Sequence, residues 1–255
     1  MLVKGFDMTK LSVNVNKVAY LRNTRPYLNL PDVLRFARMA LDAGAAGITV
    51  HPRPDQRHVK PDDVYAVADL LKQYPHAEFN IEGNPFYDYM HFAAEVHPTQ
   101  CTLVPDSPDA KTSDQGWDLS KDIDRLKPVV KELKSHGCRV SLFMDPGSKH
   151  LDRAVDIGVD RIELYTEPYA VRFARNESNG AADYAATARE AQAVGLGVNA
   201  GHDLNLKNLG PFLSTVPKVL EVSISHALTA DALEFGWEET IKRYLAITNF
   251  TSATR

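Results

Sequence analysis

The segment Gly47-Ile48-Thr49-Val50-His51-Pro52-Arg53-Pro54-Asp55-Gln56-Arg57-His58 runs from four apolar-biased residues straight into two imidazoles, two guanidiniums and a carboxylate. A short β-branched run of this kind suits a strand covered on both faces, and Pro52 and Pro54 end it and stiffen the loop that carries the charges. Loops rich in Arg, His and Asp are most often solvated connections. Placement argues otherwise here, because other polar side chains recur where apolar runs end: Asn14, Asn16 and Lys17, then Glu82, Thr112, Asp145, Glu163 and Thr166, His202 and Asp203, and Ser225 and His226. Imidazoles together with a glutamate suit proton transfer near neutral pH, since histidine titrates there unaided and burial can raise a carboxyl to meet it. Metal ligation is the competing chemistry. The first apolar run ends Asn14-Val15-Asn16 with no His-x-His pair, each candidate ligand comes from a separate element, and no metal site is expected. His76, His91, His97, His136 and His150 fall on helices or at the opposite rim and read as surface residues.

The elements that must position these residues alternate regularly. Strands are predicted at Leu11–Asn16, Gly47–His51, Ala77–Gly83, Cys101–Pro105, Arg139–Asp145, Arg161–Thr166, Gly197–Ala200 and Leu220–Ile224. Helical spacing of apolar residues marks Pro31–Ala43, Pro61–Gln73, Pro85–Val96, Leu119–Ser135, Ser148–Ile157, Ala181–Ala193, Leu206–Ser214 and Thr229–Thr248. Pro31, Pro61 and Pro85 suit first helical turns, Ser148 and Thr229 are placed to cap, and Pro128 predicts a kink or break. A weak repeat puts Gly44, Gly137, Gly158 and Gly195 between a helix and the next strand, where a left-handed stop turns the chain back. Eight such units predict a single (β/α)8 barrel of parallel strands, with residues 1–255 as one domain and the barrel proper at about 11–248. An open doubly wound sheet is the alternative, but no glycine fingerprint follows the first strand.

Composition narrows the partners. With 255 residues, 44% apolar, 24% charged and a net charge of −4, the chain has no bulk attraction for nucleic acid or anionic membrane. Cys101 and Cys138 form no CxxC pair, no run of about 18 apolar residues exists, and the first residues lack a hydrophobic signal core, so a cytoplasmic protein is expected.

The assembled stretches resemble the pyridoxine 5′-phosphate synthase family. The resemblance runs from about Leu11 to Thr248 and rests on Val13-Asn14-x-x-x-x-Ala19-x-Leu21-Arg22-Asn23-x-Arg25, on the Gly47 to His58 segment and on Asn80-Ile81-Glu82. Leu103-Val104-Pro105, Ser141-Leu142-Phe143, Ile162-Glu163-x-x-Thr166, Val198-Asn199-Ala200-Gly201-His202 and His226-Ala227 follow at the family's separations. It implies a condensation of 3-amino-2-oxopropyl phosphate with 1-deoxy-D-xylulose 5-phosphate, releasing inorganic phosphate and water, with no cofactor because a substrate carries the attacking amine. It also implies a homo-octamer. By position, His51 and Glu82 match proton acceptors, His202 a proton donor and Glu163 a carboxylate that supports charge in the transition state. Asn14, Arg25, Arg53, His58, Thr112 and His226 match substrate-binding positions.

Four positions depart from the family pattern. Asn16-Lys17 stands where an Asp-His pair is common in the pentulose phosphate site, Asp203 replaces a phosphate-binding glycine, and Ser225 replaces the glycine before His226. Asp203 lies two residues before Asn205 at a helix start, so its carboxylate is expected to turn from the phosphate and cap that helix. The alternatives are a phosphosugar aldolase or isomerase on the same barrel, and a non-catalytic homologue that binds phosphorylated metabolites. A Schiff-base aldolase needs an interior lysine, and only Lys17, at the rim, comes near.

Overall fold

The computed structural model describes residues 8–110, 112–177 and 180–253. Eight strands form one parallel sheet: β1 (Lys10–Asn14), β2 (Gly47–Val50), β3 (Glu78–Gly83), β4 (Gln100–Leu103), β5 (Arg139–Met144), β6 (Arg161–Leu164), β7 (Gly197–His202) and β8 (Val219–Ile224). Each pairs with the next, and β8 pairs back to β1 with Leu11 opposite Val222. That closure removes the open-sheet alternative and gives the (β/α)8 barrel.

Around the sheet lie α1 (Asn16–Asn23), α2 (Val33–Asp42), α3 (Pro61–Leu71), α4 (Met90–Val96), α5 (Ile123–Ser135), α6 (Leu151–Asp156), α7 (Glu167–Ala174), α8 (Ala182–Ala193), α9 (Leu209–Thr215), α10 (His226–Phe235) and α11 (Trp237–Ala253). Outward strand positions such as Val13, Ile48, Ile81, Leu103, Leu142, Ile162 and Val222 are buried in one core with helix residues such as Ala37, Val67, Val130 and Tyr244. Each large aliphatic side chain so buried contributes about 1.5–3 kcal/mol. Gly44, Gly137, Gly158 and Gly195 all have positive φ, the left-handed turn their repeat implied.

The inner face of the barrel is polar. Ser12 bonds Thr49 at 2.7 Å, Thr102 donates to Asn80 at 3.0 Å, and Gln100 reaches across to Glu221 on β8 and receives Asn199 from β7. Those spans cross the barrel interior. Strands that read as apolar runs therefore alternate, with apolar residues under the helices and hydrogen-bonded residues inside.

Of the three prolines expected in first helical turns only Pro61 is there, since α2 starts at Val33 behind its Asp32 cap and α4 at Met90, and other expectations change as well. α5 runs unbroken through Pro128, which lies on its exposed side, while Leu126, Val129, Val130 and Leu133 stay buried. Asp124, whose carbonyl loses its helical donor at Pro128, is an exposed residue, and the buried face holds the helix together. Ser148 caps nothing, since its hydroxyl donates to Asp145 O ahead of α6. Thr229 lies inside α10, which starts at His226, and Gly236 divides the long C-terminal helix in two. The eight-residue helices α1 and α7 were not anticipated, because each is only about two turns long and too short to show a period.

Candidate functional site

At the C-terminal ends of the strands opens a cavity of about 610 Å³. Asn16, Lys17, His51, Arg53, His58, Thr112, His202, Asp203, Ser225 and His226, all singled out above, line it. Tyr20, Arg57, Ser113 and Glu167 join them. Arg25 does not line it; the side chain is exposed on the segment after α1. Asn14, Glu82 and Glu163 do not line it either, being fully buried beneath it.

Those carboxylates sit under the two histidines. Glu82 Oε2 lies 3.9 Å from His51 Nδ1 and 3.5 Å from His202 Nε2, and accepts from Asn14 Nδ2 at 3.2 Å. Glu163 Oε1 lies 3.4 Å from His202 Nδ1. The backbone explains why the spacing is so close. A methyl at Gly201 would come within 2.5 Å of Ser223 O and 2.9 Å of Glu163 Oε1, so only glycine lets β7 bring His202 onto Glu163. Asn16 Oδ1 accepts from the backbone N–H of His51 at 2.8 Å, which ties the first turn of α1 to the end of β2.

The two histidines are driven in opposite directions. Burial pushes His51 well below its ordinary value of 6.5, helped by His58, Arg53, His202 and Arg57. For His202 burial acts the same way, but the Glu82 and Glu163 carboxylates outweigh it and hold the ring well above 6.5. Burial raises Glu163. At neutral pH one imidazole is a free base and its neighbour an imidazolium, a separation that divides base from acid. Both ring nitrogens of His202 face carboxylates, so a proton leaves it for a ligand only when one of those contacts opens. Glu82, Glu163 and His202 also offer ligand atoms within 4.8 Å of one another, the spacing of a metal cluster, although they come from three strands. The carboxylates approach opposite nitrogens of one ring, with His202 Nδ1 and both Glu163 oxygens buried and outside hydrogen-bond geometry.

Cations gather on one side of the cavity. Burial, Arg53 and Lys17 bring His58 down to about 3, and its Nδ1 accepts from Val59 N at 3.0 Å, so the neutral ring turns an Nε2–H outward. Arg53 is 5% exposed and donates to Asp106 Oδ2 at 2.8 Å and to Ala110 O at 2.6 Å. Elsewhere on the rim, α10 begins at His226, and Ser225 ahead of it is buried with its hydroxyl unpartnered.

Asp203 departs from expectation. The turn before α9 is held by Asn205, whose Oδ1 accepts from Lys207 N and Asn208 N, and the Asp203 N–H donates to Gly201 O at 3.0 Å. The Asp203 side chain lines the cavity instead. Burial raises its carboxyl and Glu167 adds to this, against His202, His226 and Lys17. The capping reading fails because α9 starts at Leu209, four residues beyond Asn205, behind an N-cap, Asn208, that receives no side-chain cap bond, and Asn205 rather than Asp203 takes the N–H groups of the turn between. Glu167, whose carboxylate accepts from the Tyr165 hydroxyl, and Tyr20 were missed in the sequence along with the helices that carry them. Thr166-Glu167-Pro168 is a helix-start pattern that could have found the first.

The model of the family described as "Pyridoxal phosphate biosynthesis protein PdxJ" matches residues 11–249. Proteins named pyridoxine 5′-phosphate synthase are similar to the chain over nearly their whole length. The one from Albidiferax ferrireducens is 52% identical over 93% of this chain and 96% of its own. Those from Christiangramia forsetii and Xanthomonas campestris pv. campestris are each 51% identical over 94% of this chain and 99% and 96% of their own. Among solved structures, 3-keto-L-gulonate-6-phosphate decarboxylase from Vibrio cholerae superposes with a TM-score of 0.64 at 11% identity, covering 96% of this chain and 99% of that one. The tryptophan synthase A-subunit from Pyrococcus furiosus gives 0.63 at 12% identity, over 94% and 98%. At such identities the likeness is one of fold alone.

Proposed function

Because the chain belongs to the pyridoxal phosphate biosynthesis protein PdxJ family, we propose that it is a pyridoxine 5′-phosphate synthase whose chemistry runs on His51, Glu82, His202 and Glu163. It joins 3-amino-2-oxopropyl phosphate to 1-deoxy-D-xylulose 5-phosphate and closes the pyridine ring, with loss of inorganic phosphate and water. The observation that carries this reading is the pair of oppositely driven histidines on either side of the buried Glu82, at the floor of a cavity rimmed by cations.

The geometry supports a division of labour. The attacking amine belongs to a substrate, so the protein must bind two phosphates, remove protons from the condensing amine and carbons, and protonate departing oxygens. His51, neutral and on the cavity floor, takes protons. Glu82 lies between the rings and passes charge between them, while Glu163 supports the imidazolium of His202, which donates. General acid and base groups so placed contribute about a hundredfold to ten-thousandfold each. Lys17, Arg53 and His58 form the side for the pentulose phosphate, with Thr112 beside them and Asn14 and Asn16 bracing the floor. Ser225 and His226, at the free N–H groups of α10, suit the other phosphate, with Asp203 beside it.

The reading extends to one domain over residues 1–255, to the cytoplasm and to a homo-octamer. Charge and composition favour a cytoplasmic protein, and no described helix is long and apolar enough to cross a membrane. An assembly is favoured by Tyr27, Leu28 and Leu30, which are 98%, 63% and 61% exposed on the segment that bears Arg25. Arg25 then meets substrate across a contact between copies.

The aldolase alternative finds no support in the strands. Their one lysine, Lys10, is at the opposite end of the barrel beside Glu78. Incubating the purified protein with both substrates and following pyridoxine 5′-phosphate tests the proposal. Absence of product with a folded protein would overturn it.

A further inference from the structure

Asp106, at the start of the loop after β4, has no part in the chemistry just described, yet three strand-end loops meet on it. From the loop after β2, Arg53 Nη1 donates to its Oδ2 at 2.8 Å. From the loop after β3, Asn84 Nδ2 donates to its backbone carbonyl at 2.9 Å. Farther along its own loop, Ser113 Oγ donates to the same Oδ2 at 2.7 Å. Arg53 Nη2 donates to Ala110 O at 2.6 Å and Ser107 O at 3.3 Å, and Arg57 Nη1 reaches Ala110 O at 3.1 Å. Arg53 and Asp106 are each 5% exposed.

The use made of the guanidinium is the informative part. Its Nη2 is spent on two carbonyls and its Nη1 meets the carboxylate, while Nε is buried with no partner. An arginine that grips a phosphate as a fork needs two parallel N–H groups free, and here the fork is turned into the protein. A buried guanidinium is tolerable because Asp106 neutralises it, and the carboxylate in turn fixes which way it points. Since Thr112 and Ser113 line the cavity and Ser113 hangs from the same carboxylate oxygen as Arg53, Asp106 ties the two side chains of that wall together, with the Ser107 and Ala110 carbonyls adding to the hold on Arg53.

We propose that Asp106 is a positioning residue for substrate: by holding Arg53 and Ser113 it sets the cation-lined wall and governs affinity for the pentulose phosphate, without entering the chemical step. This rests on the function proposed above. It assigns Arg53 the work of ordering that wall through Asp106, its Nη1 and Nη2 being held by protein acceptors and its Nε buried. A lysine at position 53, with a single compact ammonium, cannot hold Asp106, Ser107 and Ala110 together.

The test is steady-state kinetics with each substrate varied in turn. In Asp106→Asn the KM for 1-deoxy-D-xylulose 5-phosphate should rise about tenfold, equivalent to about 1.4 kcal/mol. Its kcat and the KM for 3-amino-2-oxopropyl phosphate should stay within about threefold. Asp106→Glu should recover part of the loss, and Arg53→Lys combined with Asp106→Asn should cost little more than either alone, since both break one contact. Ser113→Ala keeps the buried charges intact and should move the same KM in the same direction by about two- to threefold, which preserves the test if Asp106→Asn does not fold. General damage would move both KM values and kcat together, and that result, or an unchanged pentulose KM in Asp106→Asn and Ser113→Ala, overturns the assignment. Product formation by the unmodified protein is read separately, so failure of the proposed function shows there and failure of Asp106 shows only in the variants.

Discussion

At the scale of single residues the site is an exercise in driving two similar rings apart. His51→Asn and Glu82→Gln should each lower kcat by about a hundredfold or more. A variant of either kind with near-normal turnover would remove that residue from the chemistry. The pH profile carries a sharper expectation. kcat/KM should rise as His51 loses its proton, well below 6.5, and fall as His202 loses its own, well above 6.5, leaving a plateau across neutrality. Glu163 is one of the two carboxylates that keep His202 charged. Glu163→Gln should therefore bring the alkaline limb down by about one unit or more while the acid limb stays where it was. An alkaline limb that does not move would mean that His202 is not the group that sets it. The residue types at strand ends made His51, Glu82 and His202 legible in the sequence, because a barrel gathers such ends on one rim. What the sequence could not carry was direction. Whether Asp203 capped a helix or faced the cavity depended on where α9 starts, at Leu209 behind a turn that Asn205 holds, and Arg53 found Asp106 across two intervening strands of chain.

At the scale of elements, the strands were legible because each is short, bounded and followed by helical spacing, and because glycine marks the return four times. Their edges moved by a residue or two, which is the ordinary play of strand ends. The polar interior was not legible, since residues such as Ser12, Asn80 and Asn199 look like interruptions until the barrel closes and each meets a polar partner on another strand, Thr49, Thr102 and Gln100. The floor of the barrel shows what this costs. Glu221, 3% exposed, lies 3.7 Å from Arg139 and 3.8 Å from Arg161 and accepts from Gln100, and Glu78 is paired with both Lys10 and Arg139 nearby. Burial raises Glu221 to about 7 despite the two arginines. A carboxyl raised on folding binds its proton more tightly in the native state, so its contribution is complete below the unfolded value and is lost as pH rises through about 7. Moved from 4.5 to about 7, it corresponds to about 3 kcal/mol of stability. Thermal unfolding followed between pH 5 and 8 should therefore show a loss of stability that Glu221→Gln largely abolishes. Parallel curves for the two proteins would place the titration elsewhere.

At the scale of the whole molecule the position of Arg25 makes the strongest demand. Its resemblance-based role is to bind substrate, yet it is exposed, lies outside the cavity of its own barrel, and rides on a segment with Tyr27, Leu28 and Leu30 bared to solvent. Apolar side chains that exposed and that close together are costly to leave in water, at roughly 25 cal/mol for each Å². A second copy that covered them would relieve that cost and carry Arg25 toward a neighbouring mouth in the same step. Two measurements separate this from a merely greasy loop. Leu28→Asp should shift the protein to smaller species in sedimentation and lower turnover, because a charge placed on that segment opposes the contact. Mixing is the more decisive one. If Arg25 serves a neighbour, Arg25→Ala and His51→Asn proteins, each nearly inactive alone, should regain part of the activity when unfolded and refolded together, since some contacts then pair an intact Arg25 with an intact His51. If instead each barrel uses its own Arg25, no mixture can place the two intact residues in one site, and the refolded sample stays as inactive as its parts.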